Sequence, residues 1–148
     1  MSGMTTRTPD TGYMLCFALY SASHAMTRLY RPLLAPLGLT YPQYLVLVSL
    51  WAQDGRSVRE LGEELALESN TLTPLLKRME ESGLITRARS SEDERVVQVS
   101  LTEKGSALRS EAEKVTACVF EASGLSLDEL GRLRNEVRAL RDRIAALV

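Results

Sequence analysis

The fold of this chain is decided by residues 57–101, SVRELGEELALESNTLTPLLKRMEESGLITRARSSEDERVVQVSL. The stretch opens with Ser57 and Glu60, a serine followed three residues later by a glutamate, which is the capping-box pattern of a helix start. Apolar spacing predicts a short helix from there, a turn over residues 66–68 and a second helix that ends at Gly83. The pattern indicates a helix-turn-helix.

Two short strands follow the second helix. Residues 84–87 predict the first strand, and residues 97–101, in which valine and leucine alternate with polar side chains, predict the second. The polar residues 90–95, SSEDER, join them as a charged hairpin. Two helices and a two-stranded wing predict a winged helix-turn-helix, whose second helix can enter the major groove of duplex DNA. Winged helices also serve as protein-interaction modules, and the backbone pattern leaves that alternative open.

Helices flank this segment, so the expected fold class is mainly α with a small β wing (α+β). Apolar residues at helical spacing predict a first helix from about residue 11 to about residue 34, capped by Asp10 or Thr11. A capping box at Thr40 predicts the next helix, which ends near Ala52.

The C-terminal part of the chain also reads as helical. After the wing, Thr102 is predicted to cap one long helix that Gly124 ends, and a third capping box at Ser126 opens the last helix. The apolar residues of this last helix are spaced 3, 4, 3, 4 and 3 residues apart, at Leu130, Leu133, Val137, Leu140, Ile144 and Leu147. This spacing is typical of a coiled-coil seam, and with the apolar stripe of the first helix it predicts a dimer joined through both ends of the chain.

The composition of the 148 residues is that of an ordinary globular protein, with 45% hydrophobic and 25% charged side chains. No apolar run approaches the ~20 residues of a membrane span, and the opening MSGMTTRTPDTG lacks the pattern of a signal peptide. We therefore expect a soluble cytoplasmic protein with no membrane contact. The formal net charge of -1 means that any contact with DNA must be local.

The sequence has few cysteines and histidines, which disfavours metal sites, disulfide frameworks and most catalytic sites. The two cysteines, Cys16 and Cys118, are too far apart in sequence for a CxxC metal site, and two alone cannot make a disulfide framework. His24 is the single histidine, so a zinc site or a Ser/His/Asp triad is poorly supplied. We expect no metal, no cofactor and no enzyme activity.

Charge placement matters more than its sum inside residues 56–104, which hold eight basic and ten acidic side chains. The second helix of the predicted helix-turn-helix has an outward polar face. Its N-terminal part has short hydrogen-bonding side chains suited to base edges and phosphates, and two cationic side chains suited to phosphate follow further along. These predicted DNA contacts are Ser69, Asn70, Thr71, Thr73, Lys77 and Arg78. The alternative is a helix cap followed by solvated surface.

The hairpin of the wing contains a second candidate for DNA contact. Asp93 and Arg95 are two residues apart, so they can lie on one side, where the carboxylate can hold the guanidinium in one orientation. An oriented arginine at a hairpin tip fits a minor groove. The alternative is an exposed salt bridge, worth ~0 to 1 kcal/mol.

These residues together resemble the multiple antibiotic resistance regulator (MarR) family of dimeric winged-helix regulators. Asp93-Glu94-Arg95 is similar to the wing signature of that family. Residues 15–47, LCFALYSASHAMTRLYRPLLAPLGLTYPQYLVL, resemble its organic hydroperoxide resistance (OhrR) subgroup of thiol-based, peroxide-sensing repressors. The resemblance implies one MarR-type domain over residues 1–148, with dimerisation helices at 10–35 and 105–148 and a DNA-binding lobe at 40–104.

The OhrR resemblance also implies roles for Cys16 and for three tyrosines. Cys16 would be the redox-active thiol, and Tyr30 and Tyr41 would stabilise its thiolate from the partner subunit, with Tyr20 as a third tyrosine near the site. Met14, Phe17 and Leu45 are expected to line an apolar pocket that favours organic peroxides. The alternatives are that Cys16 is a small buried hydrophobe and that the tyrosines only pack.

Cys118 resembles the second redox-active cysteine of the two-cysteine OhrR type, which captures the oxidised thiol of the other subunit. A sulfenic acid condenses with a thiol to give a disulfide, so the pairing is chemically sensible. Family members without this residue use a small cellular thiol. Core packing in a long helix is the alternative for Cys118.

The sequence therefore predicts a homodimeric repressor that binds a pseudo-palindromic DNA operator and releases it when an organic hydroperoxide oxidises Cys16. One alternative is a regulator of the same fold that responds to a small phenolic ligand bound between its lobes, in which Cys16 would only pack. A thiol peroxidase is a further alternative, disfavoured because the sequence offers no base and no arginine near the thiol.

Overall fold

The computed structural model describes residues 10–148, so the expectation about a signal peptide concerns residues that lie largely outside the described part. The helices and strands follow the order that a winged helix requires. In chain order the elements are α1 (Leu15–Leu34), a 3-10 turn (Ala35–Leu37), α2 (Tyr41–Ala52), β1 (Arg56–Ser57), α3 (Val58–Leu65), α4 (Ser69–Glu81), β2 (Ile85–Arg89), β3 (Val97–Leu101), α5 (Glu103–Ala107), α6 (Arg109–Ser123) and α7 (Leu127–Ala145).

The three predicted capping boxes are confirmed. In each, the hydroxyl of the first residue accepts a hydrogen bond from the backbone amide of the residue three positions later. The side chain of that later residue accepts a hydrogen bond from the backbone amide of the first. The pairs are Thr40 with Gln43, Ser57 with Glu60 and Ser126 with Glu129. Local side-chain chemistry therefore fixes where α2, α3 and α7 begin.

The predicted start of the first helix is wrong. Asp10 caps a turn instead, since its Oδ1 accepts from the amide of Gly12 at 2.8 Å and its carbonyl accepts from the amide of Tyr13 at 3.0 Å. α1 begins at Leu15, after an extended Met14 that makes no side-chain cap. An aspartate forms such a turn as readily as it caps a helix, so its presence did not fix the helix start.

The sheet has three strands, one more than the sequence predicts. The strand order is β1-β3-β2 and both pairings are antiparallel, with Arg56 opposite Val99 and Ile85 opposite Leu101. β1 is only two residues long, too short to show the alternation by which a strand is recognised. β2 begins at Ile85, one residue later than predicted, and continues to Arg89.

The long helix expected after the wing is divided at Leu108. Thr102 caps α5 as predicted, because its hydroxyl accepts from the amide of Gly105 at 3.1 Å. At Leu108 the ψ angle is −13°, flatter than a regular helix, and a second helix, α6, continues from Arg109. No glycine or proline marks this break in the sequence. Gly124, with φ at +68°, follows the end of α6 as expected.

The core of the winged helix contains the apolar residues that helical spacing placed inward. Those of α4 that are buried are Leu72, Leu75, Leu76 and Met79. A polar connection joins the neighbouring elements: the buried Ser49 hydroxyl of α2 donates to Glu64 Oε2 of α3 at 2.5 Å, and Glu64 pairs with Arg56 of β1 at 3.3 Å. This connection holds α2, α3 and β1 together.

The described chain divides into two compact units, one that ends at Ala112 and one from Glu113 to Val148. No single helix among residues 10–148 is long and apolar enough to cross a membrane; α1 with its 3-10 turn passes such a test only together with α2, across a 74° bend.

Candidate functional site

Helix α4 presents its polar residues to solvent. All six residues that the sequence nominates for DNA contact on this helix are exposed: Ser69, Asn70, Thr71, Thr73, Lys77 and Arg78. The N-cap is Glu68, and no side chain caps the helix start. Ser69 to Thr71 therefore do not cap the helix, whereas the second part of that alternative, a solvated surface, agrees with their exposure.

A cleft of about 930 Å³ lies between α3, α4 and the wing. Arg59, Arg87 and Arg95 line it together with the hydroxyls of Ser69 and Thr73. Guanidinium groups and hydroxyls are the usual ligands of DNA phosphates, so the cleft can accept a nucleic-acid backbone. Sequence reasoning missed Arg59 and Arg87. The outward position of Arg59 on α3 was a usable signal, whereas Arg87 gave none.

The wing arginine is oriented by its neighbour, as predicted. Arg95 Nε lies 3.2 Å from Asp93 Oδ1 and Arg95 Nη2 lies 3.4 Å from Asp93 Oδ2, which is a bidentate pair. Hydrogen bonds from the Arg95 side chain and backbone amide lower the pKa of Asp93, so its carboxylate stays ionised below its ordinary range. Arg95 remains 91% exposed, so it is free to contact DNA.

A second ion pair joins the wing to α4. Glu80 of α4 accepts from the backbone amide of Arg87 at 2.9 Å and from its Nη2 at 3.2 Å. The side-chain hydrogen bond from Arg87, followed by the backbone one, lowers the pKa of Glu80. This pair fixes the start of β2 against the last turn of α4.

Three tyrosines of α1 and α2 form a cluster. The ring centroids of Tyr30 and Tyr41 are 5.0 Å apart, and Tyr44 lies 5.6 Å from Tyr30 and 6.5 Å from Tyr41. Burial, followed by the neighbouring Tyr44 and Tyr41, raises the pKa of Tyr30 to about 12, and burial raises the pKa of Tyr41. Both phenols therefore keep their protons, and with them a hydrogen-bond donor, at neutral pH. Sequence reasoning missed Tyr44.

Tyr20, the third predicted tyrosine, is not part of this cluster. Its ring lies 4.3 Å from His24, edge-on, and 6.4 Å from Phe17. Ten residues of helix separate it from Tyr30, about 15 Å along the axis. Within one protomer the structure thus places Tyr30 and Tyr41 together and Tyr20 one turn after Cys16.

Both cysteines are exposed in the protomer. The alternatives that Cys16 is a buried hydrophobe and that Cys118 packs in the core are therefore wrong for the single chain. Met14 and Phe17, beside Cys16, are also exposed, and Leu45 is half-buried. Cys16 belongs to the first unit and Cys118 to the second. Among the described residues, no group of three or more His, Cys, Asp or Glu could hold a metal ion.

The tyrosine cluster gives a titration prediction. In the wild type, one phenol should ionise near pH 12, and this last step should be absent in Tyr30→Phe, since burial holds the Tyr30 proton. The stabilising contribution of neutral Tyr30 is complete below pH 10.0 and is lost as pH rises toward about 12. Phenolate absorbance measures the step, and circular dichroism in parallel detects alkaline unfolding. An unchanged last step in Tyr30→Phe would contradict the assignment.

Sequence comparison identifies the family. The sequence pattern of the SarA/Rot family of transcriptional regulators matches residues 28–112. The HTH-type transcriptional regulator TtmR of Methylorubrum extorquens is 49% identical over 132 residues, which cover 89% of this chain and 68% of TtmR. This chain is a MarR-family transcriptional regulator of the SarA/Rot type. The organic hydroperoxide resistance transcriptional regulator of Bacillus subtilis is 48% identical to this MarR-family member over 126 residues, 85% of this chain and 86% of the relative.

Solved structures agree with the family assignment. The reduced form of AbfR, a Staphylococcus epidermidis protein, was solved bound to DNA. It superposes on this MarR-family regulator with a TM-score of 0.75 at 34% identity, covering 90% of this chain and 91% of AbfR. A disulfide-formed AbfR superposes with a TM-score of 0.59 at the same identity, covering 90% and 88%. The winged-helix fold is confirmed, and this chain is a DNA-binding regulator and not an enzyme.

Proposed function

We propose that this regulator is a homodimeric repressor that binds a pseudo-palindromic operator while Cys16 is reduced and releases it after an organic hydroperoxide oxidises Cys16. The carrying observation is the exposed thiol of Cys16, flanked by exposed apolar side chains, in a chain 48% identical to an organic hydroperoxide resistance regulator. An exposed thiol can meet a peroxide, and apolar surroundings favour one with an organic tail. The regulator acts where the DNA is, which we expect to be the cytoplasm.

The sensing step is a two-electron oxidation of sulfur. The Cys16 thiolate attacks the terminal oxygen of ROOH, the O–O bond breaks, and the leaving alkoxide takes a proton to become ROH, while sulfur becomes a sulfenic acid. The thiol of Cys118 from the other subunit then attacks that sulfur, an S–S bond forms and water leaves. The peroxide is the oxidant for the whole sequence, and one peroxide is consumed for each disulfide.

The thiolate needs donors, because no lysine or arginine neighbours Cys16 in sequence. We assign this role to Tyr30 and Tyr41 of the partner subunit and to Tyr20 of the same helix. The raised pKa values of Tyr30 and Tyr41 support the assignment, since both phenols remain donors throughout the pH range in which a thiolate forms.

The dimer is inferred from exposed apolar surface at both ends of the chain. Leu15 of α1 is 58% exposed, and on α7 Leu133 and Ile144 are 51% and 54% exposed. Apolar faces of this kind usually mark an interface. We therefore assign dimerisation to the helices in residues 10–35 and 105–148 and DNA contact to residues 40–104, within one domain over residues 1–148.

In the proposed complex each α4 enters a major groove, and the two half-sites are one helical turn apart, about 34–36 Å. The hydroxyls and amide of Ser69, Asn70, Thr71 and Thr73 would face base edges and phosphates, with Lys77 and Arg78 on phosphates. Arg95 would enter the minor groove, held by Asp93. A dimer reshaped by the disulfide would no longer match both half-sites.

The direct test uses fluorescence anisotropy of a labelled operator with reduced protein. We expect cumene hydroperoxide to release the DNA and dithiothreitol to restore binding. Salicylate, as a probe phenol, should leave the complex intact. Release by salicylate together with no effect of the peroxide would favour the regulator that responds to a phenolic ligand. Sustained peroxide consumption beyond one equivalent per disulfide would favour a peroxidase.

The wing gives a prediction about affinity. Arg95→Ala is expected to weaken operator binding by about 1 to 3 kcal/mol, and Asp93→Ala by less, because the first change removes the groove contact and the second only its orientation. The unfolding midpoint should not move, since Arg95 is almost fully exposed. Lys77→Ala is the matched control: it should reduce the salt dependence of binding and leave sequence preference unchanged. Wild-type affinity in Arg95→Ala would mean that the wing does not reach DNA.

A further inference from the structure

A line of aromatic side chains leads from the tyrosine cluster along α2. Tyr44, only 5% exposed, lies 5.6 Å from Tyr30 on one side and 6.4 Å from Trp51 on the other, measured between ring centroids. The Tyr44 and Trp51 rings meet edge-on at 71°. Trp51 is in the last turn of α2, so the cluster is continuous with the end of that helix.

The indole of Trp51 connects α2 to α5. Its Nε1–H donates to the carbonyl oxygen of Gly105 at 2.9 Å. Gly105 is buried, and a Cβ at this position would overlap the carbonyl oxygen of Leu84. The backbone of α5 therefore lies in direct contact with the backbone of the short segment that follows α4.

α5 and its N-cap Thr102 form hydrogen bonds to the backbone carbonyl groups of three successive residues, 82–84. Lys104 Nζ donates to the carbonyl of Ser82 at 2.8 Å, Thr102 Oγ1 donates to that of Gly83 at 2.6 Å, and the Thr102 amide donates to that of Leu84 at 3.1 Å. Ser82 is the C-cap of α4. α5 and its N-cap are thus bound directly to the C-terminal end of α4.

We propose that Trp51 is a positioning residue that transmits the state of the tyrosine cluster, through Gly105 and α5, to the recognition helix. The inference rests on the proposed function, in which Tyr30 and Tyr41 donate to the Cys16 thiolate of the partner. Oxidation to the disulfide joins the Cys16 sulfur to Cys118 and removes it from the two phenols, which lose the acceptor that held them, whereas in Cys16→Ser the hydroxyl stays in place as an acceptor. Because the rings of Tyr30, Tyr44 and Trp51 lie in succession, a shift of Tyr30 displaces Tyr44 and then Trp51, and the indole hydrogen bond carries the shift to α5.

The first test is Trp51→Phe, which keeps a ring and removes the donor, with Gln53→Ala, an exposed change at the same helix end, as control. The rate of Cys16 oxidation should equal that of the wild type. The ratio of operator Kd in the oxidised and reduced proteins should fall by about threefold to tenfold in Trp51→Phe and stay at the wild-type value in Gln53→Ala. A purely structural role would weaken both states alike and leave the ratio unchanged, which would overturn the proposal.

The second test needs no variant of Trp51, because it is the single tryptophan of the chain. Its emission in the wild type should change when cumene hydroperoxide is added and stay constant in Cys16→Ser. Release of DNA with unchanged Trp51 emission overturns the role of Trp51 and leaves the proposed function standing. Absence of both release and emission change overturns the two together. This measurement decides the matter even where Trp51→Phe does not fold.

Discussion

Cys16→Ser protein is expected to bind the operator with wild-type affinity and to stay bound in the presence of an organic hydroperoxide. Serine has nearly the shape of cysteine, and the side chain is exposed in the protomer, so neither the fold nor α4 should be disturbed. A hydroxyl offers no thiolate for attack on the O–O bond. The whole coupling between oxidation and DNA affinity, about 1 to 3 kcal/mol or roughly 5- to 150-fold in typical regulators, should disappear. Operator titrations with and without cumene hydroperoxide measure it.

Cys118→Ser is the matched control for this experiment. It should still form the sulfenic acid at Cys16 but no intersubunit disulfide, and without a small thiol Cys16 should proceed more readily to sulfinic acid. On a non-reducing gel, a band of dimer size should appear in peroxide-treated wild type and in neither serine variant. The same band in Cys118→Ser would mean that Cys16 pairs with itself across the dimer, and Cys118 would then be wrongly assigned.

Removal of residues 126–148 should abolish dimerisation and operator binding together. The deletion takes away α7, whose apolar side chains are largely exposed in the protomer and include Leu133, Val137 and Ile144. Two half-sites hold a dimer by two α4 helices, whereas a monomer keeps only one of these contacts. Sedimentation should give a monomer, and operator affinity should fall to that of non-specific DNA, roughly 10³- to 10⁷-fold weaker.

A point variant separates the seam from general damage to the chain. Val137→Asp in the full-length protein should dissociate the dimer, because it places a charge in an apolar interface, whereas the neighbouring Glu136→Gln should leave it intact. A wild type that sediments as a folded monomer at micromolar concentration would contradict the dimer itself.

The parts of the fold that local chemistry controls could be predicted from the sequence. The capping boxes at Thr40, Ser57 and Ser126 fix helix starts through contacts three residues apart, and the alternation in residues 97–101 fixes a strand. β1 could not be predicted because two residues carry no period. The break at Leu108 could not be predicted because Leu108 itself favours a helix and Gly105, the nearest residue that disfavours one, lies inside α5.

In the candidate site, too, contacts between residues close in sequence could be predicted, whereas contacts between separate elements could not. Asp93 and Arg95 are two residues apart, and the geometry of the pair followed from this spacing. The approach of Tyr44 to Tyr30 and the pairing of Arg87 with Glu80 depend on how separate elements pack, and neither leaves a periodic signal. The buried alternatives for the two cysteines were wrong for the single chain because apolar neighbours in sequence do not tell whether a helix face is covered.

Each arginine that lines the cleft carries a carboxylate of its own: Arg59 with Glu63, Arg87 with Glu80 and Arg95 with Asp93. Because each arginine is paired with a carboxylate, the surface of the cleft has little net positive charge. A DNA backbone bound there would release few counterions, so the attraction to DNA of arbitrary sequence would be weak. In a genome that offers about 10⁶ to 10⁹ competing positions, such a protein spends little of its time on the wrong ones. For the operator-binding function proposed above, we therefore expect a small number of copies per cell to be enough.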